Sequence, residues 1–164
     1  MNYLELFSGT HSFGKIFSKN FNVYSLDRDI GAACPFKSGY ESPNHFKEDI
    51  MNWNYKQFPR DFFTLITASP SCFYWSPIRK CNYGKKLKVH NGRVFTKELL
   101  EEDIQKYGIP MVDKVFEILD YFRPKYWVIE NPKLASMKEY INDLLPYNDV
   151  DYCRYGFLYK KPTR

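Results

Sequence analysis

The residues best equipped for covalent chemistry are Cys72 and Glu130. Cys72 lies in Thr67-Ala68-Ser69-Pro70-Ser71-Cys72-Phe73-Tyr74-Trp75-Ser76, a proline-bearing turn that follows the strand-like stretch from Phe63 to Thr67. Open α/β sheets bind ligands beyond the carboxyl ends of their strands, so a thiol there is well placed to react. Taken alone, a free cysteine is more often a small, inert, buried side chain. At its ordinary pKa a thiol is only ~3% thiolate at pH 7, so a working nucleophile needs a cation or a helix amino terminus nearby. Arg79 and Lys80 are close enough in sequence to serve. Glu130-Asn131 follows Tyr126-Trp127-Val128-Ile129, which reads as a buried strand. Partial desolvation at such a strand end raises a carboxyl pKa and suits the group to sharing a proton near neutrality. The bland alternative makes Glu130 the acid ahead of a helix over Lys133 to Leu145.

A second set of residues has the pattern of a nucleoside-binding edge. Leu4-Glu5-Leu6-Phe7-Ser8-Gly9-Thr10 reads as strand, tight turn and helix start, which brings backbone amides close to a bound molecule. It lacks the full GxGxxG pattern, and a plain βα turn explains Gly9 equally well. Asp27 ends the next strand, about 20 residues on, where a carboxylate accepts hydrogen bonds from ribose hydroxyls. Asp49-Ile50, after a third short apolar run, extends the pattern toward a base edge. A helix cap or a surface charge is the alternative for either aspartate.

These residues need a scaffold, and short apolar runs alternating with helical patterns are the sign of βαβ units and a mostly parallel sheet with helices on both faces. Strands are predicted near Asn2 to Leu6, Asn22 to Leu26, His45 to Phe46, Phe63 to Thr67, Tyr126 to Ile129 and Asp149 to Arg154. A first helix is predicted from Thr10, as its cap, to Ser18. The clearest helix is Pro110 to Phe122, where Val112, Val115, Phe116, Leu119 and Phe122 recur at helical spacing, with Gly108 ending a preceding helix.

The chain has 164 residues and a formal net charge of +5. That length predicts one domain over 1–164 with no separate target-recognition domain. The charge is unevenly spread. Between Ser76 and Lys97 the sequence carries Arg79, Lys80, Lys85, Lys86, Lys88, Arg93 and Lys97 and no acidic residue, so the positive excess sits there. With Gly84 and Gly92 inside it, the segment at about 76–97 reads as a mobile basic loop insertion that follows a nucleic-acid backbone, or as a solvated loop that binds nothing. The longest uncharged run, Phe62 to Ile78, is broken by Pro70 and Pro77 and is shorter than the ~20 apolar residues that span a bilayer. Cys34, Cys72, Cys81 and Cys153 show no CxxC spacing, and no charged-then-apolar leader opens the sequence. The expectation is an intracellular protein without structural zinc, not secreted and without membrane partners.

In order, Leu6-Phe7-Ser8-Gly9-Thr10, the Asp27 strand, Glu48-Asp49-Ile50, the Ser69-Pro70-Ser71-Cys72 turn, Ile129-Glu130-Asn131-Pro132 and Tyr152-Cys153-Arg154-Tyr155-Gly156-Phe157 resemble the motifs of the DNA cytosine-5 methyltransferases, most closely the small phage and large-DNA-virus members. The resemblance covers nearly the whole chain apart from Arg79 to Ile109. It implies an S-adenosylmethionine-dependent methyltransferase (Rossmann-like) fold, with no metal. It also implies a covalent mechanism in which the Cys72 thiolate attacks C6 of a flipped cytosine while Glu130, with Asn131 beside it, holds the N3 and exocyclic amine edge. Phe7, Ser8, Gly9, Thr10, Asp27, Arg28, Asp49 and Ile50 match cofactor-contacting positions. The DNA partner would meet Arg79, Lys80, Lys85, Lys86, Lys88 and Arg93.

Three departures stand beside this match. Ser71 precedes Cys72 where relatives show Pro-Cys, and Pro70 stands one place earlier. Relatives carry Gln and arginines later on, where this chain has Tyr159-Lys160-Lys161-Pro162-Thr163-Arg164, so that role passes to Lys160, Lys161 or Arg164. The sequence stops at Arg164 where relatives continue, which implies truncation with the last strands incomplete. Two other readings therefore stand: a weak or silent methyltransferase-like protein that binds DNA or needs a second chain to complete its site, and an amino-directed or RNA methyltransferase using the Ser69-Pro70 turn.

Overall fold

Alternation of side chains along β1 (Asn2–Leu6) sends Leu4 and Leu6 to one face of a sheet and Tyr3 and Glu5 to the other. The computed structural model describes residues 1–28, 41–141, 145–155 and 161–164; Cys34, Lys160 and Gly156-Phe157 lie outside them. β1 pairs in parallel with β2 (Asn22–Leu26) on one side and β4 (Leu65–Ala68) on the other. β3 (Asn44–Phe46) and β5 (Tyr126–Ile129) complete a parallel sheet in the order β3-β2-β1-β4-β5. Strand order reverses at β1, so the crevice beyond the carboxyl ends of β1 and β4 is the topological switch point at which such sheets bind ligands.

The chain divides into two compact units, one of residues 1–70 with 111–129 and one of 71–110 with 130–164. In the first, α3 (Ile109–Phe122) lays Val115, Ile118, Leu119 and Phe122 on Leu4, Leu6, Leu26, Ile66 and Ala68. On the opposite face, α1 (Ser12–Phe17) and the residues after it pack Phe13, Phe17 and Phe21 on Tyr3, Val23 and Leu65. The periodicity of α3 and the bounds of β1, β2 and β5 match the expectations. Helix α1 is shorter than expected, because Phe7, Gly9 and His11 all have positive φ and extend the turn to His11. Thr10 does not cap it, and its hydroxyl bonds to that of Ser12 (3.1 Å).

β5 departs from its expected burial. Tyr126, Trp127 and Val128 are 58%, 39% and 53% exposed, and among the described residues β5 pairs only with β4. Apolar composition marks a strand built to be covered, and nothing in it tells whether the covering is present.

In the second unit, the segment expected as a mobile loop is stitched together. Lys86 bridges Val94, the Gly84 and Phe95 amides donate to Phe95 and Lys85 carbonyls, and short 3₁₀ turns cover Pro77–Asn82 and Lys88–His90. Phe95 packs with Leu99 and Leu100 of α2 (Lys97–Asp103), which is capped by the Thr96 hydroxyl accepting from the Leu99 amide at 3.2 Å. Gly108 does not end that helix. The chain passes through a π-turn over Ile104–Gly108, with the Ile109 amide donating to the Ile104 carbonyl, and continues into α3. Pro110 supplies no amide for a helical bond, and the wider turn absorbs that loss.

Gly108 is explained by packing instead, since a Cβ there would lie 2.9 Å from Cζ2 of Trp75. Alanine favours helix over glycine by up to about 1 kcal/mol, but overpacking against a fixed indole costs about 1–3 kcal/mol. Gly108→Ala is therefore expected to destabilise the protein, read as a lower urea midpoint at unchanged m-value; a raised midpoint contradicts the packing account.

The second unit ends with α4 (Met137–Ile141), β6 (Val150–Asp151) and β7 (Pro162–Thr163), the two strands antiparallel. α4 starts later than Lys133, where the alternative reading of Glu130 would have begun it, and the expected strand from Asp149 to Arg154 is only β6 followed by a 3₁₀ turn over Tyr152–Tyr155. Among the described residues no helix is long and apolar enough to cross a membrane.

Candidate active site

The turn after β1 has the geometry of a binding cradle. Gly9 has φ +49°, and a Cβ placed on it would meet nothing within 4 Å. Phe7 at φ +58° and His11 at φ +56° adopt a conformation that costs a non-glycine residue of order 1 kcal/mol or more, strain that clusters at functional sites. The Ser8 hydroxyl is buried without a hydrogen-bond partner among the described residues. From the end of β2, Asp27 accepts the Gly9 amide at 2.8 Å, which ties the two strand ends together. Arg28 and Asp49 approach each other at 3.6 Å, and Asp49 also accepts the Met51 amide at 2.9 Å. Ile50 is buried in the core beside this edge. An orphaned hydroxyl, an open glycine face and carboxylates on adjoining strand ends suit a nucleoside-bearing cofactor.

Glu5 underlies this turn and escaped the sequence reading, although an acid inside Leu4-Glu5-Leu6 was the available signal. It is 3% exposed, and its two carboxylate oxygens accept the Phe13 and Gly14 amides, each at 3.1 Å, so it caps α1 from within the sheet. Burial outweighs those donors and pushes its pKa up to about 7. The folded state thus holds a proton that the unfolded chain has released, and the stability this confers is full below about pH 4.5 and lost as pH rises through 7. The loss is of order 3 kcal/mol. Glu5→Gln is expected to flatten stability against pH in that window; parallel profiles for the two proteins would remove Glu5 from the account.

The turns carrying Cys72 and Glu130 leave neighbouring strand tips, since Ala68 and Ile129 are register partners. Cys72 is half-buried, its carbonyl accepts the Trp75 amide at 3.1 Å, and the Ser71 hydroxyl accepts the Phe73 amide at 3.3 Å. The turn is pinned at Trp75, whose carbonyl accepts both the amide (2.9 Å) and the hydroxyl (3.3 Å) of Ser136. The segment after Cys72 and the segment after Glu130 are thereby tied to each other.

Glu130 is not a helix-terminal acid, because α4 begins at Met137. Its Oε1 accepts the Thr163 hydroxyl at 2.7 Å and lies 3.5 Å from the Lys161 ammonium. Asn131 is buried, and it exchanges two backbone hydrogen bonds with Arg164, at 3.0 and 2.9 Å. Of the residues expected to support the base, Lys161 reaches Glu130, whereas Arg164 forms a two-point pair with Asp149 at 2.7 and 3.0 Å. Thr163 was missed because a threonine in a short basic run carries no chemical signal by type alone.

Arg79 must be reassigned. It is 4% exposed, pairs with Asp103 at 2.8 Å and lies between the rings of Phe73 and Phe95 at 4.5 and 4.6 Å. Its charge is met inside the protein, so it is neither a surface contact for DNA nor an uncommitted cation for the thiol. Lys80, Lys85, Lys86, Lys88 and Arg93 are exposed. Among the described residues no group of three or more His, Cys, Asp or Glu side chains could hold a metal ion.

An open parallel sheet with a strained glycine turn at its switch point and an acid on the next strand end defines a Rossmann-like α/β protein whose switch-point edge suits a nucleoside-bearing cofactor. No family model matches the chain. A curated relative, a probable DNA (cytosine-5)-methyltransferase of Frog virus 3 (isolate Goorha), is 34% identical over 167 residues, covering 100% of this chain and 69% of the relative. The chain belongs to the DNA (cytosine-5)-methyltransferase family.

Proposed function

We propose that this protein transfers a methyl group from S-adenosylmethionine to C5 of cytosine in DNA through a covalent adduct on Cys72. The observation that carries the reading is that the thiol turn and the Glu130-Asn131 turn leave register-paired strand tips in a chain similar throughout its length to a probable cytosine-5 methyltransferase. C5 and C6 of a stacked base are inaccessible, so the cytosine must leave the duplex. The Cys72 thiolate adds to C6 and turns C5 into a nucleophile. Glu130 holds the N3 and amine edge as charge builds on the ring, with Asn131 fixing the backbone beside it. S-adenosylmethionine, when bound, supplies an electrophilic methyl group. Loss of the C5 proton to a base then expels the Cys72 sulfur and restores the aromatic ring.

On this reading Phe7, Ser8, Gly9 and Thr10 form the cofactor turn, Asp27 accepts from the ribose, and Arg28, Asp49 and Ile50 line the adenine side. The strained, open turn and the orphaned Ser8 hydroxyl support this assignment. Lys80, Lys85, Lys86, Lys88 and Arg93 would follow the phosphate backbone. Nonspecific duplex binding is then expected to weaken steeply with salt, and neutralising Lys85, Lys86 and Lys88 together should reduce the log-log slope by about 3. An unchanged slope removes the loop from the DNA interface.

The deciding assay is nucleoside analysis of duplex DNA incubated with the protein and isotopically labelled S-adenosylmethionine. Label in 5-methylcytosine is the expected result. Label in an exocyclic methylamine points to the amino-directed reading, and cofactor binding without transfer points to a silent protein.

A further inference from the structure

We infer that Thr163 is a positioning residue for Glu130, an assignment that rests on the catalytic reading above. Its hydroxyl donates to Oε1 of Glu130 at 2.7 Å, the shortest contact made to that carboxyl group among the described residues. Thr163 is 5% exposed, whereas the Lys161 side chain, 3.5 Å from the same oxygen, is 40% exposed and screened by solvent. Both are charge-assisted donors to a carboxylate, but the buried hydroxyl is close and fixed in direction, whereas the half-exposed ammonium stands 3.5 Å away and is screened by water.

Three features hold the hydroxyl in place. Thr163 lies opposite Val150 in the β6–β7 pair and opposite Pro132 on its other side, so its backbone is clamped from both directions. The next residue, Arg164, exchanges amide and carbonyl bonds with Asn131, directly after Glu130. The Lys133 amide donates to the Pro162 carbonyl at 3.0 Å, closing the ladder. A β-branched side chain on so constrained a backbone has little χ1 freedom. Thr163 thereby occupies Oε1 and fixes the Glu130 side chain, leaving Oε2 as the oxygen for the pyrimidine edge. A glutamate left to rotate would present that oxygen in the productive direction for only part of the time.

The test compares Thr163→Val, which keeps shape and burial but removes the donor, with Thr163→Ser, which keeps the donor. In steady-state methylation of duplex DNA, Thr163→Val is expected to lower kcat roughly 10- to 100-fold with KM for DNA within about 2-fold. Thr163→Ser is expected to recover kcat to within about 3-fold of the parent. A thermal-melting cycle with Glu130→Ala reads the contact without activity: the double variant should melt no lower than the worse single variant. Unchanged kcat in Thr163→Val, a loss that serine does not rescue, or additive melting losses would each overturn the assignment. A parent protein that makes no 5-methylcytosine would instead sink the catalytic reading, with the melting cycle still deciding whether the two side chains are coupled.

Discussion

Incubated with S-adenosylmethionine and duplex DNA containing 5-fluorocytosine, the protein is expected to form an adduct that survives denaturant, and Cys72→Ala is expected to form none. The fluorine cannot leave as a proton does, so the sulfur stays bonded to C6 after methyl transfer and the complex accumulates. With ordinary DNA, Cys72→Ala should lower turnover by about 10⁴-fold or more, because without addition to C6 the ring carbon has almost no nucleophilicity. The backbone of the turn is held by the Trp75 amide on the Cys72 carbonyl and by Ser136 on Trp75, none of which involves the sulfur, so the variant should fold. Substitution is a better probe than alkylation, because Cys81 and Cys153 are exposed and would react as well. Methylation surviving Cys72→Ala would move the chemistry to the Ser69-Pro70 turn and end the covalent proposal.

Local pattern predicted what local physics decides. β1, β2 and β5 have their expected bounds, because alternation or a short apolar run between turn residues specifies a strand without reference to distant residues. The same holds for the face of α3. Several of the departures are cases in which a residue far along the chain decides the outcome. Gly108 looked like a helix stop until the Trp75 indole against it gave another reason for glycine. Trp127 looked buried because composition cannot report that, among the described residues, β5 pairs only with β4 and leaves Trp127 39% exposed. Thr163 acquires significance only through Glu130, 33 positions earlier. The candidate residues were legible to the same degree: the turn from Phe7 to Thr10 and, separately, the loops carrying Cys72 and Glu130 could be named from strand ends, whereas the contacts of Glu5 with the start of α1, of Trp75 with Ser136 and of Thr163 with Glu130 are ones that no motif encodes.

Arg79 is the clearest such case and carries the largest expected effect on stability. Lying 24 positions from Asp103 in a run of cations, it looked like one more surface charge. In the fold it is buried, with Asp103 9% and His90 10% exposed at their side chains, and His90 Nε2 is 3.2 Å from the same Asp103 oxygen. Removing Asp103 leaves a guanidinium between two aromatic rings with neither water nor counter-charge, and breaking a buried pair from one side costs about 3–5 kcal/mol. Asp103→Ala is expected to lower unfolding free energy by that amount in urea titration, with amide protection over residues 76–103 lost first. Exchanging the pair for apolar groups of similar size, Arg79→Met with Asp103→Leu, should recover most of the loss, because the penalty comes from the orphaned charge and not from the absence of the bridge. The two variants also separate stability from chemistry. Phe73 adjoins Cys72 and rests on the guanidinium, so the apolar pair should fold well yet methylate more slowly, through a thiol turn that has lost its cation-π support. Full activity in that double variant would confine Arg79 to holding the basic segment together, and a mild Asp103→Ala phenotype of under about 1 kcal/mol, the range of an exposed pair, would mean that solvent reaches the guanidinium after all.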